Sequence, residues 1–335
     1  MVLTTFIASL GSLLVSLVAS WLIIRVMDQG GIGQQIRDWG PNLHEHKSGT
    51  PTMGGLAILV AIGLSSLFLW FYLPSARNYV PLFLLGTFGF GLVGCADDLL
   101  SILNKQSRGL KPGEKILLQL IVSASLIFMT LFLLEEPNRL ILPFTGNEMF
   151  VPAFSYYLLT AFVLIGTVNA VNLTDGLDGL AGGGGVISLA VFALIGSTEL
   201  LPILSVSIAA TIGFLWYNFY PAELFLGDTG AFALGGIIAT AAVVTRGELF
   251  LPLFGGLFVL DTLSVMIQVL YYKSTGERVF KISPMHHHFE SAEGIDYSYL
   301  LPKVEWPEAK VTGRLWIVQL VLAGVGVLGY FYPFT

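Results

Sequence analysis

Residues 169–185 read Asn-Ala-Val-Asn-Leu-Thr-Asp-Gly-Leu-Asp-Gly-Leu-Ala-Gly-Gly-Gly-Gly and lie between two apolar runs. The spacing sets Asn172, Asp175 and Asp178 three residues apart, so a helical turn here puts an amide and both carboxylates on one face. At the centre of a membrane helix each charged group costs roughly 2.5–3.5 kcal/mol on insertion scales. Such groups therefore need partners, water or a function.

That the surroundings are a membrane follows from the rest of the chain. Of 335 residues, 55% are hydrophobic and only 11% charged, with a mean hydropathy of +0.79. This excludes a soluble domain of this size and predicts an all-α integral membrane protein. A spanning helix needs about 20 mainly apolar residues. Ten runs qualify as spans: 4–26, 54–73, 80–96, 114–134, 154–172, 183–197, 200–219, 229–245, 249–272 and 314–332. The sixth and eighth look short and are rich in Gly or Ala. With no internal repeat, the chain reads as one domain, 1–335, a single ten-helix bundle. Its lone cysteine, Cys95, reads as a small packing residue.

Ten spans leave alternate loops on opposite sides. One set, 25–53, 97–115, 173–182, 220–228 and 273–314, holds thirteen of the sixteen Lys and Arg, and the other holds only Arg77, Arg139 and Arg246. The positive-inside rule turns the first set to the cytoplasm and leaves both termini in the periplasm. The first span, with no basic residue before it, reads as an uncleaved anchor. Outer loop 135–153 reads as a small hairpin around Thr145-Gly146-Asn147.

The chemistry gathers on the predicted cytoplasmic side. Five aspartates, Asp97, Asp98, Asp175, Asp178 and Asp228, fall at span ends or in these loops. Converging carboxylates resist one another's ionisation, and a divalent cation relieves them best. Magnesium uses one or two carboxylates and leaves its other positions to water and substrate phosphates, so some of the five are free for other roles. Blander readings exist for each: interfacial polarity for Asp97-Asp98, a plain loop for Asp175 to Asp178, and a helix cap for Asp228.

Other polar residues point to phosphate. His44-Glu-His-Lys-Ser-Gly-Thr-Pro-Thr-Met-Gly-Gly pairs the cation Lys47 with hydroxyls and glycines, though it is not a P-loop. Lys105, Arg108 and Lys111 fit an ordinary basic inner loop, whereas Lys115 opens a span and faces inward with Gln119. His286, His287 and His288 are consecutive and cannot all point one way, so they do not make a zinc site alone; one or two can donate to phosphate or sugar. Asp261 and Gln268 share a face of the ninth span after Gly255-Gly256, and they read as satisfying the freed backbone of a bent helix.

Together these motifs resemble the polyprenyl-phosphate N-acetylhexosamine-1-phosphate transferase superfamily, and within it the phospho-N-acetylmuramoyl-pentapeptide-transferases. The resemblance runs from about Gln35 to the last span and is most specific at the Lys47 loop, Asn169 to Ala181 and Pro284 to Glu290. It implies ten spans, a homodimer in the bacterial inner membrane, Mg2+ and a cytoplasmic active site. It implies that undecaprenyl phosphate displaces UMP from UDP-MurNAc-pentapeptide. By match to the family's motifs, Asp228 is the magnesium ligand, with Asn172 a second candidate. Asp97 deprotonates or orients the lipid phosphate, with Asp98 beside it. Lys47, Asp178 and Phe225 hold the uridine, Phe225 by stacking; Thr52, Asp175 and His286 to His288 line the diphosphate and sugar; Lys115 neutralises phosphate. No nucleic-acid partner is expected.

The sequence departs from the family at Ala231-Phe232, at Asp261 where Glu is usual, and in about a dozen extra residues, Ser291 to Val304. Two other readings compete: a sister enzyme transferring GlcNAc-1-phosphate, and a transporter or flippase with intramembrane carboxylates. Pro284-Met-His-His-His-Phe-Glu speaks against the first, and clustering of the carboxylates at one interface speaks against the second.

Overall fold

The computed structural model describes residues 1–30, 47, 49–104, 109–134, 138–291, 295 and 297–331. Its helices follow the apolar runs. In chain order they are α1 (Val2–Gly30), α2 (Gly55–Tyr72), α3 (Val80–Asn104), α4 (Pro112–Leu133), α5 (Ala153–Thr174), α6 (Leu180–Ile195), α7 (Leu201–Asn218), α8 (Gly227–Val244), α9 (Leu251–Phe254), α10 (Gly256–Thr275), α11 (Met285–Phe289) and α12 (Glu308–Phe331). Among the described residues, nine of these are long and apolar enough to cross a membrane: α1 to α5, α7, α8, α10 and α12.

The sixth predicted span is the exception. With 16 residues, α6 reaches about 24 Å at 1.5 Å per residue, short of a hydrocarbon core of about 30 Å. Its first turns are buried inside protein instead. Gly182, Gly183, Gly184 and Gly185 lie directly against Leu215, Trp316, Leu257 and Leu234 in turn, and a Cβ on any of them meets its neighbour within 3 Å.

Helix α8 forms the centre, with every residue from Thr229 to Val243 buried. Helices α3 and α5 pack against it, and α1 packs on α7 and α2 at the edge. The stripe that α1 buries is small and polar: Ser12 Oγ donates to Val206 O at 2.9 Å and Ser16 Oγ to Ala210 O at 2.6 Å. Small residues that let backbones approach are what helix association in lipid rewards. The expected hairpin is present as β1 (Arg139–Ile141) paired antiparallel with β2 (Glu148–Phe150), and Gly146 takes a left-handed turn at φ +67°.

The ninth predicted span does bend, with α9 ending and α10 beginning around Gly255. Asp261 and Gln268, however, do not serve that bend. The freed groups there are taken by Ser188, whose Oγ donates to Phe254 O at 2.7 Å, and by Gln319, which donates to the same carbonyl and accepts from Leu257 N at 2.8 Å. Asp261, Ser264 and Gln268 instead reach off α10 to the loop that follows. Gln268 Oε1 accepts from Val279 N and Phe280 N, Ser264 Oγ from Met285 N, and Asp261 Oδ1 from His286 N. The bent helix thus carries a polar face that fixes the histidine segment.

Candidate active site

The C-terminal ends of α3 and α5 and the N-terminal ends of α4 and α8 meet at one end of the bundle, bringing together residues far apart in the chain. Pro112 starts α4, and Glu114 turns back to accept from Lys111 N at 3.0 Å, so Lys115 lies one turn in and points inward. Its Nζ stands 3.2 Å from Asp97 Oδ2 and 2.8 Å from Asp228 Oδ2. Asp228 Oδ1 accepts from Asn172 Nδ2 at 2.8 Å, and Asp97 Oδ1 from Leu110 N at 2.8 Å. An ammonium bridging two carboxylates marks a point that attracts positive charge. The donors around it are hard oxygens, which suits magnesium. Among the described residues no three His, Cys, Asp or Glu side chains form a ready-made metal cage.

Asp98 does something different from its neighbour. Adjacent helical residues diverge by about 100°, and Asp98 faces α8, where its oxygens accept from Asp228 N at 3.1 Å, Thr229 N at 2.9 Å and Thr229 Oγ1 at 2.6 Å. The cap of α8 is therefore Asp98, which leaves the Asp228 side chain free to face Lys115 and Asn172.

A second group lies around the Asp175 to Gly179 turn. Lys47 Nζ is 2.7 Å from Asp178 Oδ1 and 2.5 Å from Glu308 Oε1, and Asp178 Oδ2 accepts from Ala222 N at 2.9 Å. The ring of Phe225 sits 5.9 Å from Lys47 Nζ. Its backbone is pinned in a short ladder, donating to Pro51 O and accepting from Gly54 N, which also brings buried Thr52 alongside Gly227. Burial pulls the Lys47 pKa down, but Glu308 and Asp178 outweigh it and raise it above the ordinary lysine value. Asp175 joins the two groups. Burial first, then the charges of Asp228, Asp98 and Asp178, push its carboxyl up to about 8, with Lys47 opposing.

The histidines divide as their adjacency requires. His286 and its partner Asp261 are both fully buried, Nδ1 to Oδ2 at 2.8 Å, and His286 Nε2 has no hydrogen-bond partner among the described residues. His287 Nδ1 is 3.1 Å from Glu290 Oε2. His288 Nδ1 accepts from Lys281 N, and burial with the nearby Lys281 charge holds its pKa low. It serves the loop. His286 and His287 turn their Nε2 atoms to Gly176, beside Asp175. The part of 291–304 that is described folds back onto this loop: Tyr297 Oη donates to Lys281 O at 3.0 Å, and the Tyr299 ring meets His288 edge-on.

The residues expected at the site from sequence thus lie within these three adjoining groups, except that His288, expected at the diphosphate and sugar, turns instead to the Lys281 amide and the Tyr299 ring. His44 to His46, Lys105 and Arg108 lie outside the described residues. Two participants went unread. Asp261 had been assigned to the bend, and Glu308, an acidic residue opening a span on the basic side, carried the same signal as the aspartates.

Comparison with known proteins bears on the same residues. Glycosyl transferase family 4 matches over 80–246, and the phospho-N-acetylmuramoyl-pentapeptide-transferase signature 1 matches over 47–59, the Lys47 loop itself. A phospho-N-acetylmuramoyl-pentapeptide-transferase of Desulforamulus reducens is 42% identical over 95% of this chain and 93% of its own length. This chain belongs to the phospho-N-acetylmuramoyl-pentapeptide-transferase family. Further members from Desulforudis audaxviator and Bacillus anthracis are 40% and 39% identical, each over 94% of this chain and 95% and 94% of their own lengths. With family membership shown, neither the GlcNAc-1-phosphate transferase nor the transporter reading is favoured.

Proposed function

We propose that the chain transfers phospho-MurNAc-pentapeptide from UDP-MurNAc-pentapeptide to undecaprenyl phosphate, releasing UMP. The observation that carries this is the Asp97, Lys115, Asp228 and Asn172 group beside the Lys47 and Asp178 pair, in a chain of this family. An oxygen of the lipid phosphate attacks the phosphorus that bears MurNAc. The bond from that phosphorus to the bridging oxygen breaks, and the oxygen leaves on UMP with the electron pair. Such transfer needs in-line positioning and charge neutralisation more than covalent chemistry.

Asp97 orients the lipid phosphate and takes any proton it carries. Lys115 neutralises phosphate charge between Asp97 and Asp228. Asp228 and Asn172 would hold magnesium, which when bound neutralises the diphosphate. Lys47, Asp178 and Phe225 hold the uridine, while Thr52, Asp175, His286 and His287 border the diphosphate and sugar. In this reading the chain is one domain of ten spans, α6 included. It works as a homodimer in the bacterial inner membrane, with its termini periplasmic and its site cytoplasmic. The basic-residue split supports that orientation.

The test is UMP release by the purified chain with undecaprenyl phosphate and magnesium. UDP-MurNAc-pentapeptide should support turnover and UDP-GlcNAc should not. The opposite preference, or no UMP release from either, overturns the reading.

A further inference from the structure

Glu308 opens α12, and its side chain leaves its own helix. Oε1 accepts from Asp178 N at 2.7 Å and from Lys47 Nζ at 2.5 Å. Glutamate in a first helical turn is ordinarily a partner for the helix dipole, yet here its hydrogen bonds go to the Asp175 to Gly179 turn and the Lys47 loop. The same face of α12 continues the contact: Thr312 Oγ1 donates to Asp178 O at 3.3 Å, and Trp316 Nε1 to Leu180 O at 3.2 Å. The last span is a splint behind the turn, and Glu308 is its charged end.

Two carboxylates and one ammonium share this place, and all three are largely buried, with side-chain exposures of 11% for Lys47, 4% for Asp178 and 6% for Glu308. The net charge of the trio is negative, which does not suit a phosphate. It suits a neutral ligand edge that offers both an acceptor and an N–H. Lysine has three N–H donors, and the described residues use those of Lys47 on Asp178 and Glu308, leaving one for a ligand. Glu308 Oε2 carries no hydrogen bond among the described residues, so an acceptor stands beside that donor. The half-buried Phe225 ring lies 5.9 Å from the same ammonium and provides a flat surface.

We propose that Glu308 is a specificity-determining residue of the nucleotide site, reading with Lys47 the imide edge of uracil while fixing Asp178. Uracil presents a carbonyl oxygen next to an N3–H, which matches a donor next to an acceptor. Cytosine has a bare nitrogen at N3, so a carboxylate there faces a lone pair and rejects it. Sites that hydrogen-bond a substrate N–H discriminate strongly against analogues lacking it. This inference rests on the transfer reading above, since it takes the ligand to be a uridine nucleotide.

The test compares purified wild-type chain with Glu308→Gln in two measurements: binding of UDP and of CDP, and UMP release from UDP-MurNAc-pentapeptide. Wild type should prefer UDP. The amide variant should bind UDP at least tenfold more weakly, with the UDP-over-CDP preference narrowed at least tenfold. KM should rise correspondingly while kcat stays within about threefold, as expected for lost uniform binding. An unchanged preference, equal binding of UDP and CDP by wild type, or a fall in kcat at constant KM would overturn the proposal. If Glu308→Gln is not recovered folded, Glu308→Asp keeps the charge but shortens the reach. The proposal then requires a raised KM with kcat spared, and an unchanged KM refutes it. Absence of UMP release by wild type would instead count against the transfer reading.

Discussion

Asp98 holds the helix that Asp228 begins: its Oδ1 accepts from the Asp228 amide at 3.1 Å while the Asp228 carboxylate turns the other way, to Lys115 and Asn172. Two acidic residues of one cluster therefore have separable duties. Removing a side chain that caps a helix costs about 1–2 kcal/mol. Asp98→Ala is expected to lose stability and activity together, seen as a lower unfolding temperature in detergent. Asp228→Asn is expected to unfold at the wild-type temperature with UMP release at background, because an amide cannot match a carboxylate's hold on a hard cation. Near-normal turnover in Asp228→Asn would remove that residue from the reaction.

Phe225→Ala should weaken nucleotide binding without disturbing the transfer. The Phe225 backbone bonds to Pro51 and Gly54 do not depend on the ring. Base stacking is worth about 1–3 kcal/mol, so KM should rise about ten- to a hundredfold, with kcat nearly unchanged. Steady-state kinetics on UDP-MurNAc-pentapeptide decide this, and a loss confined to kcat contradicts it.

Gly176→Ala places a methyl group 2.4 Å from His286 Nε2 and 3.0 Å from His287 Nε2. His286 cannot retreat, being buried and held by Asp261. Overpacking of this kind costs about 1–3 kcal/mol, and the displaced histidines should cut turnover as well. Wild-type melting and wild-type turnover together would show that the imidazoles have room to move.

At the far end of the bundle, Glu248 is 3% exposed and accepts from Tyr156 Oη at 3.0 Å. Burial pushes its carboxyl up to about 8, against the opposing effects of its own backbone amide, Tyr156 and Arg246. The folded protein therefore keeps a proton that the unfolded chain releases near pH 4.5, so stability declines as pH rises from there to about 8 and then levels. Glu248→Gln should flatten that decline. Thermal unfolding of both proteins at pH 5 and pH 8 measures it, and identical slopes would refute it.

Much of this was legible because apolar runs in a lipid-soluble chain announce their own helices, and because Thr145-Gly146-Asn147 and Gly255-Gly256 mark a turn and a break locally. The aspartates were legible as a group since each sits where charge is expensive. What could not be read was which neighbour each one meets. Asp97 and Asp98 are adjacent in the chain, yet one faces α4 and the other caps α8, a difference set by helix rotation against partners 13 to 131 residues away. Glu308 and Asp261 were missed for the same reason, since their partners lie 130 and 25 residues distant. The shortness of α6 was visible, but not that protein would surround its glycines.

The polar face of α10 grips its loop almost entirely by the main chain: the amides of Val279, Phe280, Met285 and His286 are what Gln268, Ser264 and Asp261 bind. An arrangement that recognises amides is indifferent to the side chains attached to them. The grip itself leaves Val279 free to vary, whereas Phe280 and Lys281 are also buried by their own side chains, Lys281 Nζ donating to Glu290 O. Asp261, Ser264 and Gln268 act on the transfer at one remove, by seating this loop and, through Asp261, the buried His286 ring.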